Sequence, residues 1–350
     1  MKKLLWSLLG FCALTLVGCG GGGGGGSGDV PAPAAAPVFS ITGNWTAMSA
    51  GGIYGLVLDE AAGSLSYARP DEVTGATSNV SISGMRRGAD GAYIFSTGLT
   101  VGGLALDVKL YRVDDNTLAG QIWSTLGGAS KLTPVIASRS VVTDFSAING
   151  NYSGSWLECD YSLADKRCNL GPGVTWQGYR DSVNFNALVM TACSDTNLNI
   201  AACAPADQGM VTFNALGGGV YAAGPIRVLA FPVGGQNLVF SHLRLTDTGT
   251  VYVGGELYAR EADLPAATLN GTWRVATAEG RTGVATINGN DVTIQVEGLP
   301  VVTGTVKRNT PWTGLAQIEI AGESKPYYVS GNAKVLFAAS DAGAYLLHRP

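Results

Sequence analysis

One five-residue string occurs three times and limits the fold more than any other feature. Ile41-Thr42-Gly43-Asn44-Trp45 returns as Ile148-Asn149-Gly150-Asn151-Tyr152 and again as Leu269-Asn270-Gly271-Thr272-Trp273. The pattern is aliphatic, Thr or Asn, Gly, Asn or Thr, aromatic. The copies stand roughly a hundred residues apart, too far for a solenoid repeat and about the size of a small domain. They predict tandem units over 41–140, 148–262 and 269–350. Unit ends rhyme as well, Leu118-Ala119-Gly120-Gln121-Ile122-Trp123 against Val253-Gly254-Gly255-Glu256-Leu257-Tyr258, each after a polar turn. Pro-containing linkers are expected over 133–147 and 262–268.

The local pattern inside each unit is that of strands. Leu104, Leu106, Val108 and Leu110 alternate, the period-two mark of a half-buried strand. Leu56 and Leu58, a turn over 60–63, then Leu65 and Tyr67 read as a hairpin. Val284 to Ile287, then Val292, Ile294 and Val296, read as another, with Asn288-Gly289 supplying the positive φ of a tight turn. Leu243, Leu245, Val251 and Val253 flank a turn at Asp247. No helical stripe of any length follows residue 18. The fold class is therefore all-β: three tandem small antiparallel β-barrel or sandwich domains behind a flexible N-terminal tether.

A Gly-x-aromatic opening on an antiparallel unit of this size resembles the lipocalin-like small barrels. That resemblance implies that Trp45, Tyr152 and Trp273 plug one end of each barrel. The second unit departs most, with Tyr for Trp and four inserted cysteines. The plainer reading is that any aromatic beginning a first strand packs into a core.

The N-terminus carries an address. Lys2 and Lys3 precede an uncharged apolar run from Leu4 to Val17, shorter than the roughly 18–20 residues that span a bilayer. Leu16-Val17-Gly18-Cys19 resembles the bacterial lipoprotein signal and its lipobox. The resemblance implies cleavage after residue 18 and acylation of Cys19, with Gly20 rather than Asp behind it directing the protein to the outer membrane of a Gram-negative cell. Acyl chains contribute about 0.8 kcal/mol per buried CH₂, so several of them hold a soluble body to a membrane. An ordinary secretory signal or an uncleaved anchor are the rival readings. Residues 19–40 form a tether: flexible from Gly20 to Gly26, similar to the leash of surface lipoproteins, and stiffer from Pro31 to Pro37.

Six cysteines are present. Cys12 leaves with the signal and Cys19 takes the lipid. Cys159, Cys168, Cys193 and Cys203 remain in the middle unit, an even set that reads as disulfides in an oxidising compartment. Three pairings are possible; Cys159–Cys168 and Cys193–Cys203 close the shortest loops. A four-thiolate zinc site is the rival, but the close CxxC pairs it uses are absent.

Little in the sequence carries chemistry. Charged residues are 14% of the chain and the net charge is −4, which argues against nucleic acid. The two histidines, His242 and His348, lack metal-ligand spacing. Tyr152-Ser153-Gly154-Ser155 is not a nucleophile elbow. Asp114-Asp115-Asn116 lacks the bidentate Glu of a calcium loop and reads as a turn. Gly217 to Gly219 and Gly234-Gly235 precede no helix, so they read as loop glycines rather than phosphate cradles. Carboxylates are scarce, and none stands inside an aromatic cluster. No cofactor and no metal are expected. The expected function is non-enzymatic: a membrane-anchored lipoprotein, at the cell surface or the periplasmic face, that binds a protein or glycan through loops or sheet edges. The alternative is a lipocalin-like carrier of a small apolar ligand. An enzyme is the third reading, to be raised by a concave pocket with converging carboxylates or His242.

Overall fold

The computed structural model describes residues 39–350, apart from 50, 71–75, 102–103, 127–128, 163–175, 248–249 and 279. The first sheet contains β1 Gly43–Ser49, β2 Gly52–Asp59, β3 Ser64–Pro70, β4 Thr77–Ile82, β5 Arg86–Arg87, β6 Tyr93–Val101, β7 Leu104–Arg112, β8 Thr117–Leu126 and β9 Ala129–Ser138. Its order is β4-β3-β2-β1-β9-β8-β7-β6-β5, with β1 antiparallel to both β2 and β9. First and last strands meet, so the meander curls almost into a barrel and leaves β4 and β5 as edges.

The second sheet repeats that order with β10 Gly150–Ser162, β11 Trp176–Asn186, β12 Val189–Cys193, β13 Gln208–Thr212, β14 Asn214–Gly217, β15 Val220–Ala223, β16 Ile226–Val233, β17 Gln236–Asp247 and β18 Thr250–Arg260. Here β10 joins β11 to β18, and β13 and β14 are the edges. The third sheet is a closed eight-stranded barrel: β19 Gly271–Thr277, β20 Thr282–Asn288, β21 Asp291–Val296, β22 Val302–Arg308, β23 Ala316–Ile320, β24 Tyr327–Gly331, β25 Val335–Ser340 and β26 Gly343–His348. Its fourth and fifth strands pair directly, Gly304 to Ile320 through Arg308 to Ala316, where the first two sheets stay open.

Strand formation follows the alternation. Leu106, Val108 and Leu110 are buried on β7, and Leu58 pairs with Leu65 and Leu56 with Tyr67 across the first hairpin. Asn288 pairs with Asp291, and Gly289 takes φ +62° between them. Two expectations need correction. Residues 133–138, expected to begin the linker, are the second half of β9, and the connection to the second sheet starts at Arg139. Pro134 lies inside that strand, paired with Gln121 of β8. The rhyme of unit ends is also not structural: Leu118 to Trp123 lie on the eighth strand of their sheet, Val253 to Tyr258 on the ninth.

The repeated string closes one end of each sheet, position by position. Its aliphatic residue is buried each time: Ile41, Ile148 and Leu269, the last two ending the short turns Phe145–Ile148 and Ala266–Leu269. The next side chain accepts a backbone N–H from the turn after the second strand: Thr42 from Glu60, Asn149 from Ala187, Asn270 from Gly289. The glycine takes φ +134°, +133° and +123° in the three copies, a region closed to other L residues. The aromatic is buried, and the indoles of Trp45 and Trp273 donate to the carbonyls of Ile41 and Leu269 at 2.9 and 2.7 Å.

An arginine after or at the end of the last strand completes each closure. Arg139 lies 4.3 Å over Trp45, Arg260 5.2 Å over Tyr152 and Arg349 4.1 Å over Trp273. Arg139 also donates to the carbonyls of Ser40 and Thr42, and Arg349 to those of Asn270 and Thr268. The guanidinium thus ties the last strand to the segment that enters the first.

Residues Ser40–Pro350 form one body. Outer faces of the three sheets share an apolar junction in which Met48 and Ile136 meet Phe231, Phe240 and Leu257 and, from the third barrel, Val335 and Leu346. Hydrogen bonds specify the register of this packing. The Trp312 indole donates to Ser153 Oγ at 2.9 Å, Ser155 Oγ and Ser330 Oγ lie 2.7 Å apart, and Gln121 Nε2 donates to the Arg281 carbonyl at 2.7 Å.

Candidate ligand site in the second barrel

The interior of the second barrel is apolar at its closed end and polar toward the other. Tyr152, Phe185 and Tyr258 meet edge to face, with centroids 5.4 and 5.7 Å apart, and Phe145 packs on Phe185 at 5.9 Å. Beyond this aromatic layer lie Asp181 on β11 and Glu256 on β18.

Gly154 is what brings these side chains together. It pairs with Asp181 on one side and with Tyr258 on the other, so the three occupy one row across β11, β10 and β18. Having no side chain, Gly154 leaves the middle of the row open. A Cβ there would stand 2.4 Å from Glu256 Oε1 and 2.6 Å from the Tyr258 ring. Through that space the Tyr258 hydroxyl donates to Asp181 Oδ2 at 3.4 Å. Glu256 and Tyr258 are two apart on one strand and share its inward face.

A cavity of about 290 Å³ opens on this group. Asp181, Glu256, Tyr258 and Ser241 give it a polar side; Met190, Ile226 and Leu243 give it an apolar one. Cys193 and Thr196 stand at the rim, where the Cys193–Cys203 disulfide staples the chain between β12 and β13. Glu256 is 5% exposed, and its Oε1 has no hydrogen-bond partner.

Burial sets the protonation of the group. Desolvation pushes Asp181 up to about 6, against the opposing backbone N–H of Ser182 and the Tyr258 hydroxyl. Desolvation, and then the charge of Asp181, hold Glu256 well above the usual carboxylate range. Burial raises the Tyr258 hydroxyl well above its ordinary value. Burial thus disfavours ionisation of both carboxyls, and the charge of Asp181 opposes that of Glu256 further. Such a pair can hold a polar ligand group or move a proton.

The expectation that no carboxylate stands inside an aromatic cluster is overturned by Asp181 and Glu256. They lie far apart in sequence and meet only because β11 and β18 both pair with β10. A signal was present in Glu256-Leu257-Tyr258: strand alternation places Glu256 on the side of the inward aromatic. The arginines Arg139, Arg260 and Arg349 do not keep the spacing of the Gly-aromatic string, so their part in the closure appears only once the last strand of each sheet is paired with the first.

Other singled-out residues lie elsewhere. His242 is buried on the outward face of β17, across from Arg227 and Gly255. His348 is buried against Tyr111, ring centroids 5.2 Å apart, and desolvation pulls it down to about 3. Asp114 serves a turn, accepting from the backbone N–H groups of Asn116 and Gly234. Among the described residues no three His, Cys, Asp or Glu side chains are placed to hold a metal. Cys193 and Cys203 are bonded as expected. The partner expected for Cys159, Cys168, lies outside the described residues, as do Cys19, the lipobox and the tether.

Comparison of the chain with protein-family models, with curated proteins and with solved structures finds no match. Fold and site define an all-β protein of two nearly closed nine-stranded sheets and one closed eight-stranded barrel, with a polar pocket in the second sheet.

Proposed function

We propose that this chain is a lipid-anchored envelope protein, without catalytic activity, whose second barrel binds a small ligand. Cys19 and the glycine-rich leash hold it to the outer membrane, and the body presents the pocket. One observation carries the reading: the Glu256 carboxyl is buried at the wall of a cavity with one oxygen unpartnered. An unmade hydrogen bond on a buried group costs about 1–3 kcal/mol, which a ligand's polar atom recovers. Mild purification, organic extraction and mass spectrometry test it. A small molecule should come from the wild-type protein and not from Ser241→Phe, which fills the cavity; identical extracts would count against the reading.

A macromolecular partner is the second reading, and it rests on the open edges of the second sheet. Met210 on β13 and Leu216 on β14 are 76% and 61% exposed. Both strands have an unpaired side where a partner strand can add. Affinity capture with wild-type protein and a Met210→Lys, Leu216→Lys variant tests it; equal recovery of the partner from both contradicts it. Converging carboxylates also favour acid–base chemistry. Turnover of the extracted ligand by wild type but not by Glu256→Gln would replace binding with catalysis.

A further inference from the structure

We infer that the second-barrel site takes a small organic cation, its ammonium group between Asp181 and Glu256 and its apolar body against Met190, Ile226 and Leu243. This rests on the ligand-site reading above and names the class of ligand.

Buried Glu256 and half-buried Asp181 share the cavity, and among the described residues neither forms an ion pair with Lys or Arg. Arg180 reaches the rim, but its guanidinium is engaged outward. It donates to the Thr196 carbonyl at 2.8 Å, to Asn197 Oδ1 at 2.5 Å and to the Tyr328 hydroxyl, and lies 4.6 Å over the Tyr328 ring. The two acids thus have a neutral donor, Tyr258, where a cation would remove both their mutual repulsion and part of their desolvation cost. The unpartnered Glu256 Oε1 marks where one ammonium hydrogen would bond.

Other ligand classes fit worse. An anion meets the charge of Asp181, and the one lining cation among the described residues, Arg180, is committed to Thr196, Asn197 and Tyr328. A hard divalent cation wants six or more oxygens and water, whereas one wall here is Met190, Ile226 and Leu243. A neutral molecule gains only single hydrogen bonds. About 290 Å³ is at the small end of ligand pockets, with room for about ten water-sized groups, so the ligand is a monoamine with a short apolar body.

The pH dependence follows from the groups that face Asp181, namely Glu256 and Tyr258 on β18 and Arg180 beside it. Burial holds the Tyr258 hydroxyl well above its ordinary range, so the two carboxyls are the groups that titrate. Ammonium binding requires them ionised and therefore releases protons.

Isothermal titration of the full chain with phenethylammonium and its neutral analogue 2-phenylethanol tests the inference, using wild type, Asp181→Asn and Ser241→Phe. Near pH 8 the ammonium should bind at least about tenfold more tightly than the alcohol. Its affinity should fall as pH drops below about 6, the region where Asp181 protonates. Asp181→Asn should erase the preference and Ser241→Phe should abolish binding of both probes. Circular dichroism confirms that each variant is folded. Equal binding of the two probes overturns the cation and leaves the ligand site standing. Absence of binding by either also overturns the cation, and the extraction experiment then decides the ligand site separately.

Discussion

Arg349 stands 4.1 Å over the ring of Trp273, so the residue after the last strand of the third barrel covers the aromatic of its first. The same guanidinium donates to two carbonyls of the entering segment, Asn270 at 2.5 Å and Thr268 at 2.9 Å. A cation over an aromatic face contributes about 0.5–2 kcal/mol, and each carbonyl left without a donor adds to the loss. Arg349→Leu should therefore cost about 2–4 kcal/mol in urea unfolding. Arg260→Leu should cost less, because Arg260 lies farther from its ring, at 5.2 Å, and reaches the Tyr152 hydroxyl only at 3.4 Å.

The glycine of the repeated string separates two effects. All three copies have φ between +123° and +134°, so alanine is strained at each, by about 1–3 kcal/mol. At Gly150 and Gly271 a Cβ would also stand 2.5 and 2.8 Å from an arginine nitrogen, whereas at Gly43 it meets nothing within 4 Å. Gly150→Ala and Gly271→Ala should destabilise more than Gly43→Ala. Equal midpoints for all three would show that backbone strain alone decides.

Ala187 and Leu188 form the two-residue turn between β11 and β12, with φ of +47° and +67°. A two-residue turn with both φ positive favours Asn, Asp or Gly followed by Gly. Ala187 is exposed, so Ala187→Asn should relieve strain without loss of packing. The expected gain is about 1 kcal/mol, read as a rise of a few degrees in the melting temperature.

Acid should reveal the stability cost of the pocket. Asp181 titrates at about 6 in the folded chain against 3.8 unfolded, so between those values the folded state binds more protons. Its contribution is full below about pH 4 and is lost as pH rises to about 6, a change on the order of 3 kcal/mol. His348 runs the opposite way: held down to about 3 from 6.5, it destabilises as pH falls below 6.5. The wild-type profile mixes both slopes. The difference between wild type and Asp181→Asn isolates the carboxyl, and that difference should grow from pH 4 to pH 6 in favour of the variant.

The fold was legible wherever one strand declares its own faces. Leu104 to Leu110 and the hairpin turning at Gly289 needed no distant partner. Pro134 misled because proline usually marks a break, whereas β9 carries it within the ladder opposite Gln121. The string around Trp45, Tyr152 and Trp273 marked three closures, although its arginine partners went unread at the far end of each unit. Asp181 and Glu256 were the hardest to see. Their meeting depends on both flanking strands pairing with β10 and on the single missing side chain at Gly154.

Methionine methyl NMR tests the ligand site most directly. Met190 lines the cavity, Met48 lies in the junction core and Met210 is exposed on an edge strand. With methyl-labelled protein and the organic extract of the cells that make it, the Met190 signal should move while Met48 and Met210 stay fixed. A shift confined to Met210, or no shift at Met190 with the extract in excess, would contradict a ligand inside the second barrel.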